Sequence, residues 1–261
     1  MSYQWPAPEP KGAVVLVHGT GEHYGRYEHV AAFLNERGWS VFTGDLPGWG
    51  RSPGRRGHID SFDQYIEAVH GWMAEARAAC GAAQPLYLLG HSLGGLIAVR
   101  YVQSAGSAGL TGLILTSPCL ALKLEVPRWK ARLARLLDSA WPTLAMPNGI
   151  TADMVSRDEA VQAAYRTDPL NYGKVSVRWF QELQRAMEAA WQERAAIPLP
   201  VLIQQAGDDS LIQADAVERF AASLPMAEFH RWHGLRHEVL NEPEKEQVMQ
   251  QMERWMKRTA F

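Results

Sequence analysis

The sequence predicts an α/β fold, a mostly parallel central sheet flanked by helices, with an inserted helical cap. Three observations carry this. Short runs of apolar, often β-branched residues alternate with segments of helical spacing, the pattern of β–α–β units whose strands are buried on both faces. The alternation stops between Ser117 and Ile197, where the pattern is largely helical. The apolar run Leu86-Tyr87-Leu88-Leu89 passes directly into Gly90-His91-Ser92-Leu93-Gly94 and then into a helix-like stretch from Gly95 to Val102. Strand, G-x-S-x-G, helix is the context of a nucleophile elbow, in which glycines on either side of the serine let the chain turn tightly enough to expose its hydroxyl.

The elements follow in order. Gly12–Val17 reads as a buried strand, followed by strands at Ser40–Thr43, Pro85–Leu89, Leu113–Thr116 and Val201–Gln204, with Glu228–Trp232 last. Tyr27–Arg37 has helical spacing, with Gly38 as its stop. Ser61–Ala79 opens on a capping box, Ser61-Phe62-Asp63-Gln64, and Pro243–Arg258 closes the chain as a helix with proline near its first turn. Residues 1–117 and 198–261 are the expected core, and residues 118–197 the cap, entered at Pro118 and left at Pro198-Leu199-Pro200. This insertion shows no convincing buried strand. An insertion of this size in an open α/β sheet covers the carboxyl ends of the strands, where ligands bind; the alternative is a helical lobe away from the site. Within it, Trp129, Leu133, Leu136 and Leu137 share one helical face, and Arg128, Lys130, Arg132 and Arg135 occupy the rest. That pattern suits transient contact with an anionic membrane surface, and equally suits a cap helix with a solvated charged face.

Bulk composition narrows the classes. At 261 residues, 47% hydrophobic and 21% charged, the chain can bury a sizeable core, and a net charge of −2 gives no global basic field for nucleic acid. The two cysteines, Cys80 and Cys119, form neither a C-x-x-C pair nor a disulfide framework, which is compatible with a reducing compartment. Met1-Ser2-Tyr3-Gln4-Trp5-Pro6 lacks the basic and apolar regions of a signal peptide, and no apolar run approaches membrane-spanning length. The expectation is a cytoplasmic monomer, peripheral at the membrane where the cap docks.

A serine hydroxyl is a weak nucleophile. It needs a base, and the base needs an orienting carboxylate. In elbow enzymes the chain order is serine, acid, histidine. The acid is sought after the strand ending at Gln205, in Ala206-Gly207-Asp208-Asp209-Ser210-Leu211-Ile212. Asp209 is preferred because Leu211 and Ile212 can re-enter the core and fix its loop; Asp208 suits a turn cap. The base is one of His230, His233 and His237. His237 is preferred, since it falls in the loop before the last helix, where it can swing over the sheet toward Ser92; His233 is the runner-up. The tetrahedral oxyanion needs preorganised backbone donors. The N–H of Leu93 is one, and the N–H of Thr20, in His18-Gly19-Thr20-Gly21-Glu22-His23, is assigned as the other. No metal is expected, because His18, His23 and His29 lack H-E-x-x-H spacing and His237-Glu238 has no second histidine in place. No cofactor is expected, because no G-x-G-x-x-G follows a strand and opens a helix.

Together these residues resemble the monoacylglycerol lipase and lysophospholipase branch of the α/β-hydrolase superfamily, bacterial phospholipase-like members above all. The resemblance runs through His18–His23 with Gly25-Arg26-Tyr27, Gly44-Asp45-Leu46-Pro47-Gly48-Trp49-Gly50-Arg51-Ser52, Arg56-Gly57-His58, Gly90–Gly95, Val175-Ser176-Val177-Arg178-Trp179, Ala206–Asp209 and His237-Glu238-Val239-Leu240-Asn241-Glu242. Trp49 departs from the histidine that many relatives carry in a Gly-His-Gly segment. The resemblance implies a Ser92, Asp209, His237 triad, oxyanion amides at Thr20 and Leu93, and an apolar acyl channel under a helical cap. The expected activity is hydrolysis of single-chain lipid esters, lysophospholipid or monoacylglycerol, through an acyl-enzyme. The alternatives are a peptidase, amidase or short-chain esterase on the same fold, or a non-catalytic ligand-binding receptor. An aminopeptidase would gather cap carboxylates such as Asp153, Asp158 and Glu159 around a substrate ammonium.

Overall fold

A computed structural model describes residues 2–123 and 138–260 of the chain. The basic amphipathic stretch from Arg128 to Leu137 lies outside the described residues.

Nine strands are described: β1 (Ser2–Trp5), β2 (Gly12–Val17), β3 (Trp39–Gly44), β4 (Leu86–His91), β5 (Gly112–Thr116), β6 (Ala145–Pro147), β7 (Lys174–Ser176), β8 (Val201–Ala206) and β9 (Ala227–Trp232). Seven of them form the central sheet, in the order β1-β3-β2-β4-β5-β8-β9. All its pairings are parallel except β1 against β3. The helices used below are α1 (Glu28–Asn35), α2 (Asp63–Cys80), α3 (Leu93–Ala105), α4 (Ala152–Val155), α5 (Glu159–Thr167), α6 (Val177–Gln192), α7 (Ala214–Ala222) and α8 (Lys245–Thr259).

The strands β2 to β5 and β8 are buried along their whole length, which is why they read as unbroken apolar runs. Their side chains alternate between two cores. Val14, Leu16, Tyr87, Leu89 and Ile114 face α1 and α8, packing with Leu34, Met252 and Trp255. Val15, Val17, Leu88, Leu113 and Leu115 face the other side, with α2, α3 and α7. Trp179 and Leu183 of α6, from the insertion, join this second core.

Several expectations are corrected in detail. β1 was not foreseen: Ser2-Tyr3-Gln4-Trp5 is a half-exposed edge strand, too short for a period of two to stand out. The helix expected from Tyr27 to Arg37 starts one residue later and ends at Asn35, and Gly38 (φ +79°) closes the following turn. The capping box of α2 is displaced. Ser61 Oγ accepts the Asp63 N–H, while Gln64 reaches back to the N–H of Asp60 rather than of Ser61. The insertion, expected without a convincing buried strand, holds an antiparallel pair, β6 with β7. Each is only three residues long, and β6 is exposed, so neither leaves a readable apolar period. No helix among the described residues is long and apolar enough to cross a membrane.

One cross-link ties the insertion to the sheet layer. The buried Tyr65 hydroxyl on α2 accepts two indole N–H groups, from Trp49 at 2.9 Å and from Trp179 at 2.8 Å. Trp49, the departure noted in the sequence, thus has a specific polar partner as well as an apolar setting.

Candidate active site

The site begins with backbone strain. Ser92 joins β4 to α3 at φ 52°, ψ −115°, a conformation that side-chain-bearing residues rarely adopt. Neighbouring backbone holds it there. Its N–H donates to Thr116 O, and its carbonyl accepts from Leu96 N and Cys119 N. The two elbow glycines do different work. A Cβ on Gly90 would run into the Gly94 carbonyl across the turn, whereas a Cβ on Gly94 would run into the Val17 carbonyl at the end of β2. Gly94 therefore clears space against the neighbouring strand, not against Gly90. At the start of α3 the Leu93 N–H belongs to the first turn, where helical geometry provides no intrahelical acceptor.

Two loops from later strands converge on Ser92. His237 follows β9, and its Nε2 lies 2.9 Å from Ser92 Oγ. Its Nδ1 lies 2.8 Å from Asp209 Oδ2. An ionised carboxylate only accepts, so Nδ1 carries the proton and Nε2 is left to accept the Ser92 O–H. Asp209 is held on all sides. Its Oδ2 also accepts from Gln205 Nε2, and Oδ1 accepts from the N–H groups of Leu211 and Ile212. Leu211 and Ile212 are themselves buried, so the carboxylate's loop is anchored in the core. Asp208, exposed beside it, bonds through its backbone to Leu235. His230 lies on β9 against Trp232 and His233 follows the strand's end; the Ser92 hydroxyl's hydrogen bond among the described residues is to His237.

The electrostatics match the geometry. Burial disfavours the His237 imidazolium, but the charge and hydrogen bond of Asp209 outweigh it and hold the ring above its ordinary value. Burial likewise opposes ionisation of Asp209, and His237 with the two loop amides reverses this, keeping the carboxyl below its usual range. His91, whose ring centroid is 4.9 Å from that of His237, is pushed down to about 4, first by burial and then by its neighbour. It stays neutral and places no second charge beside the imidazolium.

The loop after β2 faces Ser92 from the other side. Gly19, Thr20, Ser92, His237, Ile150 and Tyr165 are among the residues lining a small cleft above Ser92. A Cβ on Gly19 would sit 2.7 Å from Glu22 Oε1 and 3.3 Å from Ser92 Cβ, so the glycine lets the loop approach both. Glu22 folds the loop on itself: its Oε1 accepts from Gly19 N (2.6 Å) and from the Tyr27 hydroxyl (2.7 Å). Arg26 then bridges Glu22 to Glu238, gripping the latter with two bonds of 2.6 and 2.7 Å. Burial resists ionisation of Glu22, but Arg26 overrides it and pushes the carboxyl down to about 2. His18 is structural: Nδ1 donates to Gly19 O and Nε2 accepts from Leu46 N.

The lining includes groups that sequence reasoning did not single out as site residues: His91, Ile150, Val155, Tyr165 and Glu238. Glu238 was legible only as the neighbour of His237. Ile150, Val155 and Tyr165 come from the insertion, and nothing in their spacing marks them. Asp153, Asp158 and Glu159 are absent from that lining. Asp158 instead caps α5, accepting from Ala160 N and Val161 N. Among the described residues, no group of three or more His, Cys, Asp or Glu side chains could hold a metal ion.

The family model described as Serine aminopeptidase, S33 matches residues 8–244. Phospholipase YtpA of Bacillus subtilis is 39% identical over 250 residues, covering 94% of this chain and 95% of that protein. A monoacylglycerol lipase of Mycolicibacterium smegmatis is 32% identical, covering 96% of this chain and 90% of its own. Among solved structures, a monoacylglycerol lipase of Paleococcus ferrophilus superposes with a TM-score of 0.88 at 30% identity, covering 98% and 97% of the two chains. A soluble variant of monoglyceride lipase from Saccharomyces cerevisiae, in complex with a substrate analog, gives 0.86 at 25% identity, covering 100% and 92%.

Proposed function

Since the chain belongs to the serine aminopeptidase S33 family of the α/β-hydrolase superfamily and is a serine ester hydrolase, we propose that Ser92, His237 and Asp209 are its catalytic triad and that single-chain lipid esters are its substrates. The observation that carries the triad is the unbroken chain of hydrogen bonds from Ser92 Oγ through both ring nitrogens of His237 to Asp209. Ser92 Oγ attacks the ester carbonyl as His237 Nε2 takes its proton, and Asp209 stabilises the imidazolium that results. The N–H groups of Thr20 and Leu93 are the donors we assign to the oxyanion. His237 returns the proton to the departing alcohol, and water repeats the sequence on the acyl-enzyme.

The substrate class rests on the relatives, which include a phospholipase and monoacylglycerol lipases. We take residues 118–197 as a cap over the site, a reading supported by Ile150, Val155 and Tyr165 in the cleft lining. A peptidase gains no support from the same cleft. The insertion carboxylates that would hold a substrate ammonium are not in its lining, and the two carboxylates that are, Glu22 and Glu238, are both bound by Arg26. Contact with an anionic membrane surface through residues 128–137 is part of the proposal and rests on the spacing of that stretch alone.

The test is hydrolysis by the purified protein of a matched panel: p-nitrophenyl esters of increasing chain length, monoacylglycerol, lysophosphatidylcholine and an amino-acid anilide, each also with Ser92→Ala. Fatty acid released from the glycerol lipids and lost in Ser92→Ala is the expected result. Activity confined to short esters or the anilide would refute the lipid assignment while leaving the triad standing.

A further inference from the structure

The insertion also grips the oxyanion loop. His23 Nε2 lies 2.7 Å from Asp168 Oδ2, an ion-pair-type contact that joins the loop after β2 to the turn that follows α5. His23 is buried. Its tautomer is fixed from both ends: Gly25 N–H donates to Nδ1 at 3.2 Å, so Nδ1 is the acceptor and Nε2–H donates to Asp168. Two further contacts repeat the connection. Tyr172 N donates to Gly21 O at 2.8 Å. Gly21 has φ +77°, and a Cβ there would sit 2.8 Å from Tyr172 O, so the two backbones touch with no room between them. Behind this segment Arg56 donates to Leu170 O at 2.7 Å, and its guanidinium lies 4.7 Å from the centre of the Tyr172 ring.

The loop is therefore pinned twice. Glu22 pins it from within, through Gly19 N. The 168–172 segment pins it from outside, through His23 and Gly21. Thr20 lies between these pins, with its own side chain in none of them.

We propose that Asp168 is a positioning residue for the oxyanion hole: through His23 it holds the Gly19–His23 loop, and with it the Thr20 amide, in register with Ser92. The proposal rests on the assignment of Ser92 and the Thr20 amide made above. It gives the insertion a role in catalysis besides covering the cleft. The clamp uses both oxygens of residue 168: Oδ2 accepts from His23 Nε2–H, and Oδ1 accepts the Leu170 N–H at 2.9 Å, which sets the turn.

The experiment compares Asp168→Ala, Asp168→Asn and Arg56→Ala with the unaltered protein. Two quantities are read: kcat and KM on a p-nitrophenyl ester, and the affinity for a trifluoromethyl ketone of the same acyl chain. The ketone takes up Ser92 Oγ at its carbonyl carbon, passing the serine proton to His237, and so places an oxyanion in the hole. Misplacing a catalytic donor by a fraction of an ångström to 1 Å reduces turnover roughly 10- to 100-fold. Asp168→Ala is expected to lower kcat about tenfold with KM within about twofold, and to weaken the ketone by the same factor. Asp168→Asn is expected to lose less than Asp168→Ala on both: its Oδ1 accepts the His23 N–H, but its amide nitrogen cannot accept the Leu170 N–H that Asp168 Oδ1 takes at 2.9 Å. Arg56→Ala, at an exposed side chain, is expected to give a smaller parallel loss of about threefold, and it carries the test where Asp168→Ala does not fold. The proposal is overturned by unchanged kcat in Asp168→Ala, or by a loss of kcat with ketone affinity intact. Fluorophosphonate labelling of Ser92 in each variant separates these outcomes from failure of the triad: labelling persists when only the clamp is broken.

Discussion

At the scale of single residues, the base we propose, His237, is what should set the pH behaviour. Asp209 holds its imidazolium above the ordinary value against the opposing pull of burial. As the base it must be neutral to accept the Ser92 proton. Activity should therefore fall as pH drops through a midpoint lying above 6.5, the ordinary imidazole value. Removing the carboxylate charge removes the cause of the shift. Asp209→Asn is expected to lower kcat by about 10⁴-fold, because an amide can stabilise neither the imidazolium nor the required tautomer, and to move the remaining acid limb downward. A pH profile of kcat/KM for both proteins checks this, and an unmoved limb would contradict it. The stability linkage has the opposite sign. A histidine with a raised folded value stabilises the fold below its ordinary value, and that contribution is lost as pH rises through the folded one.

The same residues show how much of the site could be read from the sequence. Asp209 and His237 were legible because local chemistry distinguishes them: Leu211 and Ile212 are apolar and re-enter the core, and His237 lies in a loop rather than on a strand. Tyr165 and Asp168 were not, because their relation to Ser92 exists only once the insertion is folded over the sheet.

At the scale of elements, the elbow and the Tyr65 cross-link make separable predictions. Gly94→Ala would drive a methyl into the Val17 carbonyl, which belongs to the central sheet and cannot retreat. A loss of more than about 2 kcal/mol is expected, in the range of overpacked cores, and thermal unfolding measures it. Tyr65→Phe removes one acceptor and strands two buried indole donors, on Trp49 and Trp179. At about 1–3 kcal/mol for each buried group left unpaired, the expected loss is ~2–6 kcal/mol. A destabilisation below about 1 kcal/mol would mean that the pair of indole bonds contributes little. The strands of the sheet interior were legible because burial on both faces demands continuous apolar runs. β1, β6 and β7 were not, since three or four residues at an exposed or half-exposed edge carry too few repeats to show a period.

At the scale of the whole molecule, one buried ionic bridge joins distant parts of the chain. Arg26, beside α1, binds Glu22 of the loop after β2 and Glu238 beside His237, residues separated by more than 200 positions. Replacing Arg26 with alanine leaves two buried carboxylates facing each other without a cation, and is expected to destabilise the fold by about 3–5 kcal/mol. Glu22 also fixes an acid limit. Its folded value of about 2 lies below its ordinary 4.5, so its contribution is complete above the ordinary value and is lost as pH falls from there toward about 2. Denaturant unfolding between pH 3 and pH 6, about 1.5 units on either side of that ordinary value, should show stability falling on the acid side, and a flat profile would contradict the bridge. Its partners were legible singly, within the His18–His23 and His237–Glu242 segments, but their meeting depends on the parallel sheet that brings the β2 and β9 loops to the same edge.

Ser92 is proposed here as a nucleophile activated by His237 and Asp209. Its most direct test is active-site titration with a fluorophosphonate, read by intact mass and peptide mapping alongside ester hydrolysis. One adduct per chain, on Ser92, with activity lost in proportion to labelling, is the predicted result. An adduct elsewhere, or ester hydrolysis that continues after Ser92 is fully labelled, would contradict it.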